Sequence, residues 1–131
     1  MKEMMCTFAI AEAQLEELKR DKSAVVLGLD LKGSGSAMMQ CSGLYKTLGS
    51  DQVIDMPISE SGYTGMAVGL ALGGTRTIVE IQFADFLAYS FDAIVNQAAK
   101  LRYLTDGKKS IPLVIRAPQG AGMYFGAQHQ Q

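Results

Sequence analysis

Glu60 stands behind a proline and at the mouth of a run of small residues, in the stretch DMPISESGYTG that spans positions 55–65. A carboxylate placed there has two uses. It can complement the partial positive charge of a helix N-terminus, worth about 0.3–1 kcal/mol, with Ser59 available as a cap. Or it can hold or move a proton on a group that the small residues let approach closely, general acid–base work worth about 10²–10⁴ in rate. The helix that follows carries Gly62, Gly65, Gly69 and Gly73, each costing about 1 kcal/mol against alanine in a helix interior. These glycines fall along one face. Such a face serves close contact with another backbone, either inside the domain or from a second subunit.

The other chemistry-bearing residues are sparse. Phe83 and Phe86 flank Asp85 just after an apolar run, where they can pack in the core or offer a planar ligand a stacking surface. His129 is the single histidine. With no His/Cys cluster there is no metal site to expect, and with no G-x-S-x-G elbow there is no Ser-His-Asp hydrolase. The glycine-rich Gly33 to Ser36 segment follows an apolar run but lacks a P-loop Lys-Ser ending and does not fit G-x-G-x-x-G, so it reads as a flexible loop.

The elements that must position these residues alternate. A helix is expected over 7–21, capped by Thr7 and burying Phe8, Ala11, Leu15 and Leu18. The short β-branched run at 24–30 suits a strand covered on both faces. A helix over 38–48 and a brief strand over 51–55 follow. A helix over 60–72 ends at Gly73-Gly74, and 77–83 is a strand. The helix over 86–103 shows Leu87, Phe91, Ile94, Ala98 and Leu101 on one face, broadened by Val95. A last strand covers 111–118, stopped by Pro118. Strands alternating with helices predict an α/β fold, a mostly parallel sheet with helices on both faces. Ligands in such sheets bind beyond the carboxyl ends of the strands, which here lead to Asp30, Asp55, Phe83 and the segment after Arg116.

The chain has 131 residues, a length that fits one domain. An apolar share of 48% against 19% charged argues against disorder. A net charge of -1 and no long basic run leave nucleic acid and anionic membrane as unfavoured partners. No apolar run approaches the roughly 20 residues of a membrane span. Glu12, Glu16 and Glu17 interrupt the N-terminal stretch, which argues against a secretory signal. Cys6 and Cys41 form neither a disulfide framework nor a zinc site, so reduced thiols in a cytoplasmic protein are expected.

Three segments, DMPISESGYTGMAVGLALGGTRTIVEIQFADF, DAIVNQAAKLRY and PLVIRAPQGAGMYFGAQHQQ, occur in an order and spacing that resembles the beta subunit of thiamine-diphosphate-dependent 2-oxo acid dehydrogenases. That subunit belongs to the decarboxylating component, which has pyruvate, branched-chain and acetoin versions. The resemblance runs from about Thr7 to the last residue and implies the pyrimidine-binding fold shared with transketolases. It implies that Glu60, the acid of the P-I-S-E segment, bonds a ring nitrogen of the cofactor's aminopyrimidine and acts in its activation. Phe86 falls on the family's stacking aromatic, Gln82 on a position lining the same pocket, and Ile58 on a residue packing beside the pyrimidine. His129 falls on the Q-H-S histidine near the reacting carbon.

The implied cofactor is thiamine diphosphate, with its diphosphate and magnesium held by a partner alpha subunit, since the family's G-D-G…N-N segment is absent from this chain. The implied partners are that alpha subunit in a heterotetramer of two alpha and two beta chains, a lipoyl-bearing acyltransferase and a small 2-oxo acid. There are departures: Gly28-Leu29-Asp30 stands where the family commonly has G-E-D or G-E-E, and QHQ stands for Q-H-S. Asp30 is the nearest acid that could take over from the missing one. The chain reads as a pyrimidine-binding domain over 1–131, incomplete at its C-terminus and without the family's C-terminal domain, so that alone it is expected to be inactive. A two-chain transketolase-like ketol transferase and a non-catalytic remnant that binds a partner through its glycine face are the alternatives.

Overall fold

The computed structural model describes residues 3–120 and 124–129. Four strands, β1 (Val25–Leu29), β2 (Val53–Met56), β3 (Thr77–Glu80) and β4 (Leu113–Arg116), form one sheet in the order β2-β1-β3-β4. Every pairing is parallel. Leu27 lies opposite Ile54 on one side and Val79 on the other, and Glu80 lies between Gly28 and Arg116. The central strand β1 is buried through its middle, as its continuous apolar run requires. The strands are shorter than the apolar runs that signal them; β1, for instance, is closed by Asp30 in the left-handed region at φ 56.

Helices cover both faces, as expected. On one, α1 (Cys6–Arg20) and α2 (Leu44–Leu48) bring Leu18 and Leu44 against Val26, Leu31, Cys41 and Val53. On the other, Tyr63 and Ala67 of α3 (Glu60–Leu72) pack on Leu27, Val79 and Ile81. The two helical layers hold the sheet rigid, so the loops at its carboxyl end start from fixed points. Both cysteines are free, Cys6 exposed and Cys41 buried. Among the described residues no helix is long and apolar enough to cross a membrane.

Several expectations are corrected. Thr7 does not cap α1, which starts at Cys6 behind Met5; its hydroxyl instead donates to the Met38 carbonyl across the fold. Phe8 is 41% exposed, so the buried stripe of α1 is Ala11, Gln14 and Leu18. The helix expected over 38–48 shrinks to α2, because Met39 and Gly43 take positive φ and break the helical path before Leu44. The helix expected over 86–103 is a composite. A 3₁₀ turn (Ala84–Phe86) leads into α4 (Leu87–Phe91), then a π-helical stretch (Asp92–Ala98), then α5 (Ala99–Leu104). A π turn takes in more residues than the 3.6 of an α-helix, so the apolar stripe rotates: Ser90 and Ala93 turn inward, while Phe91 and Val95 are more than half exposed.

Gly28 is where the sheet tolerates least change. A Cβ there would sit 2.5 Å from the carbonyl oxygen of Glu80 and 3.0 Å from its Cβ. The obstacle is backbone of the neighbouring strand, which cannot swing away. Gly28→Ala is expected to destabilise the chain by about 1–3 kcal/mol, read as a lower urea midpoint at unchanged slope.

Candidate functional site

The site grows from the carboxyl rim of the sheet. Pro57, Ile58 and Ser59 connect β2 to α3, and Glu60 is the first residue of that helix. The buried positions of α3 are Glu60, Tyr63, Thr64, Ala67, Val68 and Ala71, a helical stripe that begins with an acid. Thr64 and Ser90 lock α3 to α4 through a buried hydroxyl pair at 2.9 Å. Glu60 is only 9% exposed, and no hydrogen bond or ion pair engages its carboxylate among the described residues. Ser59 makes no side-chain cap; its hydroxyl lies where a Cβ on Gly62 would be, at 2.5 Å. One turn into the helix, Tyr63 is fully buried, and its hydroxyl has no partner among the described residues. Burial pushes that phenol's pKa up, and the negative charges of Glu60 and Glu80 push it further.

The other rim acids are committed elsewhere. The Asp55 carboxylate accepts the Leu31 and Lys32 amides at 2.6 and 3.2 Å. Asp30 accepts the Ser34 hydroxyl at 2.6 Å within its own loop. Unlike these two, the Glu60 carboxylate makes no hydrogen bond among the described residues.

Phe86 and His129 are brought together. Their ring centroids are 5.4 Å apart, and Phe83 stands 4.7 Å from His129 and 6.0 Å from Phe86, all edge-on. His129 lies in a 3₁₀ turn (Ala127–His129), with Nδ1 2.9 Å from the Phe125 carbonyl. A carbonyl only accepts, so Nδ1 is the donor of this bond. Ile58 is 78% exposed beside the start of α3. Gln82 is placed differently from a pocket-lining side chain with a spare amide. It accepts the Ala37 amide and donates to the Leu29 carbonyl, both at 2.6 Å, and so ties the loop after β1 to that strand's end.

One constellation escaped the sequence reading. Glu80 is fully buried at the end of β3, and Arg116 of β4 donates to its Oε2 at 2.9 Å. Among the described residues, its Oε1 and the Ser36 hydroxyl make no hydrogen bond. Burial pushes the Glu80 carboxyl up to about 7, against the pull of Arg116 and of the nearby Ser36 hydroxyl. The signal was present: TIVEIQF and PLVIRAP each carry one charge within an apolar strand, and such charges pair when buried. Among the described residues no group of three or more His, Cys, Asp or Glu side chains could hold a metal ion.

Comparison with known proteins gives the same frame. The family profile described as transketolase, pyrimidine binding domain, matches residues 2–131. The chain is 44% identical over 133 residues to the beta subunit of an acetoin:2,6-dichlorophenolindophenol oxidoreductase from Cupriavidus necator, covering 94% of this chain and 39% of that protein. It is 40% identical over 123 residues to the 2-oxoisovalerate dehydrogenase subunit beta of Bacillus subtilis, covering 94% and 38%. Against the pyruvate dehydrogenase E1 component subunit beta of Staphylococcus aureus it is 39% identical over 129 residues, covering 98% and 40%. The chain thus spans about two fifths of the length of these relatives. With a parallel sheet covered on both faces, an acid opening α3, and a family match running almost from end to end, the chain belongs to the transketolase pyrimidine-binding domain family.

Proposed function

We propose that this chain is the pyrimidine-binding part of the beta subunit of a thiamine-diphosphate-dependent 2-oxo acid dehydrogenase. The observation that carries the reading is Glu60: a residue 9% exposed at a helix N-terminus, whose carboxylate makes no hydrogen bond or ion pair among the described residues. A ring nitrogen that donates a proton would give this carboxylate the partner that the described residues do not supply. The residues present fit a planar heteroaromatic ring: an unengaged carboxylate, the aromatic edges of Phe83 and Phe86, and the exposed aliphatic surface of Ile58.

Thiamine diphosphate, when bound, supplies the electron sink that makes loss of carbon dioxide from a 2-oxo acid feasible. Glu60 holds and moves a proton at the ring nitrogen of the aminopyrimidine. Phe86 bounds that ring and Ile58 packs beside it. His129, its Nδ1–H fixed on the Phe125 carbonyl, presents Nε2 as a proton acceptor at the rim. Gln82 braces the loop above β1.

The diphosphate and its magnesium fall to an alpha subunit, and acyl transfer passes to a lipoyl-bearing acyltransferase. The face of α3 supports such a partner. A Cβ on Gly65 or Gly69 meets nothing within 4 Å among the described residues outside its own helix backbone, so these glycines leave room that those residues do not fill.

The test is reconstitution. The chain, alone and extended to the length of its relatives, is combined with the matching alpha subunit, thiamine diphosphate and magnesium, and decarboxylation of 2-oxo acids is measured. Activity is expected only when the alpha subunit is present. An extended beta chain that assembles with its alpha subunit yet decarboxylates no 2-oxo acid would overturn the reading. A product carrying a transferred ketol unit would point to the transketolase-like alternative.

A further inference from the structure

The residues from Ala37 to Cys41 lie in neither a helix nor a strand, yet they are held from three directions. From α1, the Thr7 hydroxyl donates to the Met38 carbonyl, and Gln14 Nε2 donates to the Gln40 carbonyl at 2.7 Å. From the end of β3, Gln82 accepts the Ala37 amide at 2.6 Å. From β4, Arg116 Nη2 donates to the side-chain oxygen of Gln40 at 2.7 Å while its Nη1 donates to Glu80 at 2.9 Å. Met38, in the middle of this segment, lines a small cleft with Phe83, Pro118, Phe125 and His129.

A buried ion pair is a poor source of stability, because well-packed apolar residues in its place are often neutral or better. Glu80 and Arg116 do something an apolar pair could not. The guanidinium, bonded to Glu80 through Nη1, reaches past it with a second donor, Nη2, to a segment outside any helix or strand. We propose that Glu80, Arg116 and Gln40 are positioning residues: they clamp the segment from Ala37 to Cys41 and, through Met38, set the wall of the cleft at His129 where the 2-oxo acid is received. The identity of what the cleft receives rests on the reading in the previous section; the clamp itself does not.

Gln40→Leu removes the acceptor and leaves the Glu80–Arg116 pair in place, whereas Gln40→Glu keeps an acceptor for the guanidinium. Both are compared with the parent chain, each assembled with its alpha subunit, by amide hydrogen exchange and by steady-state kinetics on a 2-oxo acid. For Gln40→Leu, exchange at Ala37 and Cys41 is expected to quicken by about tenfold, with the β1 and β3 amides held within about twofold. KM is expected to rise by about fivefold with kcat little changed. Gln40→Glu is expected to restore both.

Unchanged exchange at Ala37 would overturn the proposal. So would exchange that quickens equally through β1 and β3, which marks plain destabilisation, and so would a loosened loop with no change in KM. A parent complex that assembles but decarboxylates nothing, with the loop pattern as expected, would support the clamp and overturn the functional reading alone.

Discussion

Glu60→Gln in the assembled enzyme is expected to lower 2-oxo acid decarboxylation by about 10²–10⁴ while the chain still folds and assembles. Glutamine keeps the shape of the side chain and one accepting oxygen, so the ring nitrogen still finds a hydrogen bond. What is lost is the capacity to give the proton up and take it back. The structural cost is small by comparison. Removing a carboxylate from the first turn of α3 forfeits about 0.3–1 kcal/mol of helix-dipole stabilisation, a melting shift of no more than about 5 °C. Rate and melting temperature therefore separate the two readings of this acid. A capping carboxylate would move the melting temperature and leave turnover near the parent's. A proton-handling one does the reverse, and a variant retaining more than about a tenth of parental turnover would refute that role.

Arg116→Leu is expected to be the most damaging single change to stability, by about 3–5 kcal/mol at pH 8, because it strands a charged Glu80 in the interior. The pH dependence is the more telling part. In the parent, the Glu80 carboxyl titrates near 7 when folded, whereas an unfolded chain gives up that proton near its ordinary value of 4.5. Between those values the folded state binds more protons than the unfolded one. Stability contributed by this group is thus full below the unfolded value and falls as pH rises toward 7, by up to about 3 kcal/mol.

Without the guanidinium, the charged form of Glu80 is disfavoured further, and the decline continues above 7. At pH 5 the carboxyl is neutral in both folded proteins, and the variant loses only packing and the bond to Gln40. Urea unfolding at pH 5 and pH 8 checks this. A deficit of the same size at both pH values would show that the charge of Glu80 is not what Arg116 compensates.

Much of the architecture is legible in the sequence because it follows from burial. Short β-branched runs flanked by helical stripes leave a parallel sheet with helices on both faces as the natural arrangement, and Leu27, Val26 and Val79 occupy the interior accordingly. Glu60 was visible too, since an acid at a helix mouth before open glycines needs no tertiary knowledge to notice. The segment from Met38 to Gly43 was not. Its Met38 and Gln40 carbonyls are satisfied by Thr7 and Gln14, remote in sequence, and a pattern that reads local periodicity cannot see such bonds. The π-helical stretch escaped for a related reason: an apolar stripe counted at 3.6 residues per turn assigns Phe91 and Val95 to the wrong side once the turn widens. The aromatic setting of His129 depends on Phe83 and Phe86, which the fold alone brings near. Glu80 and Arg116 were readable as a pair and were missed, because each alone resembles a polar residue on an exposed strand face.

The open glycines of α3 carry a consequence for the life of the chain before assembly. Gly65 and Gly69 each forgo about 1 kcal/mol that alanine would provide, with none of the described residues packed against them in return. A domain of this size commonly has only about 5–15 kcal/mol in hand, so the unassembled subunit gives away a real share of its margin. On the proposed reading the partner restores that share by mass action. Newly made chains then face a race between meeting an alpha subunit and being cleared by proteases that sample the unfolded state. Cellular abundance of this subunit would follow the supply of its partner more closely than the rate of its own synthesis.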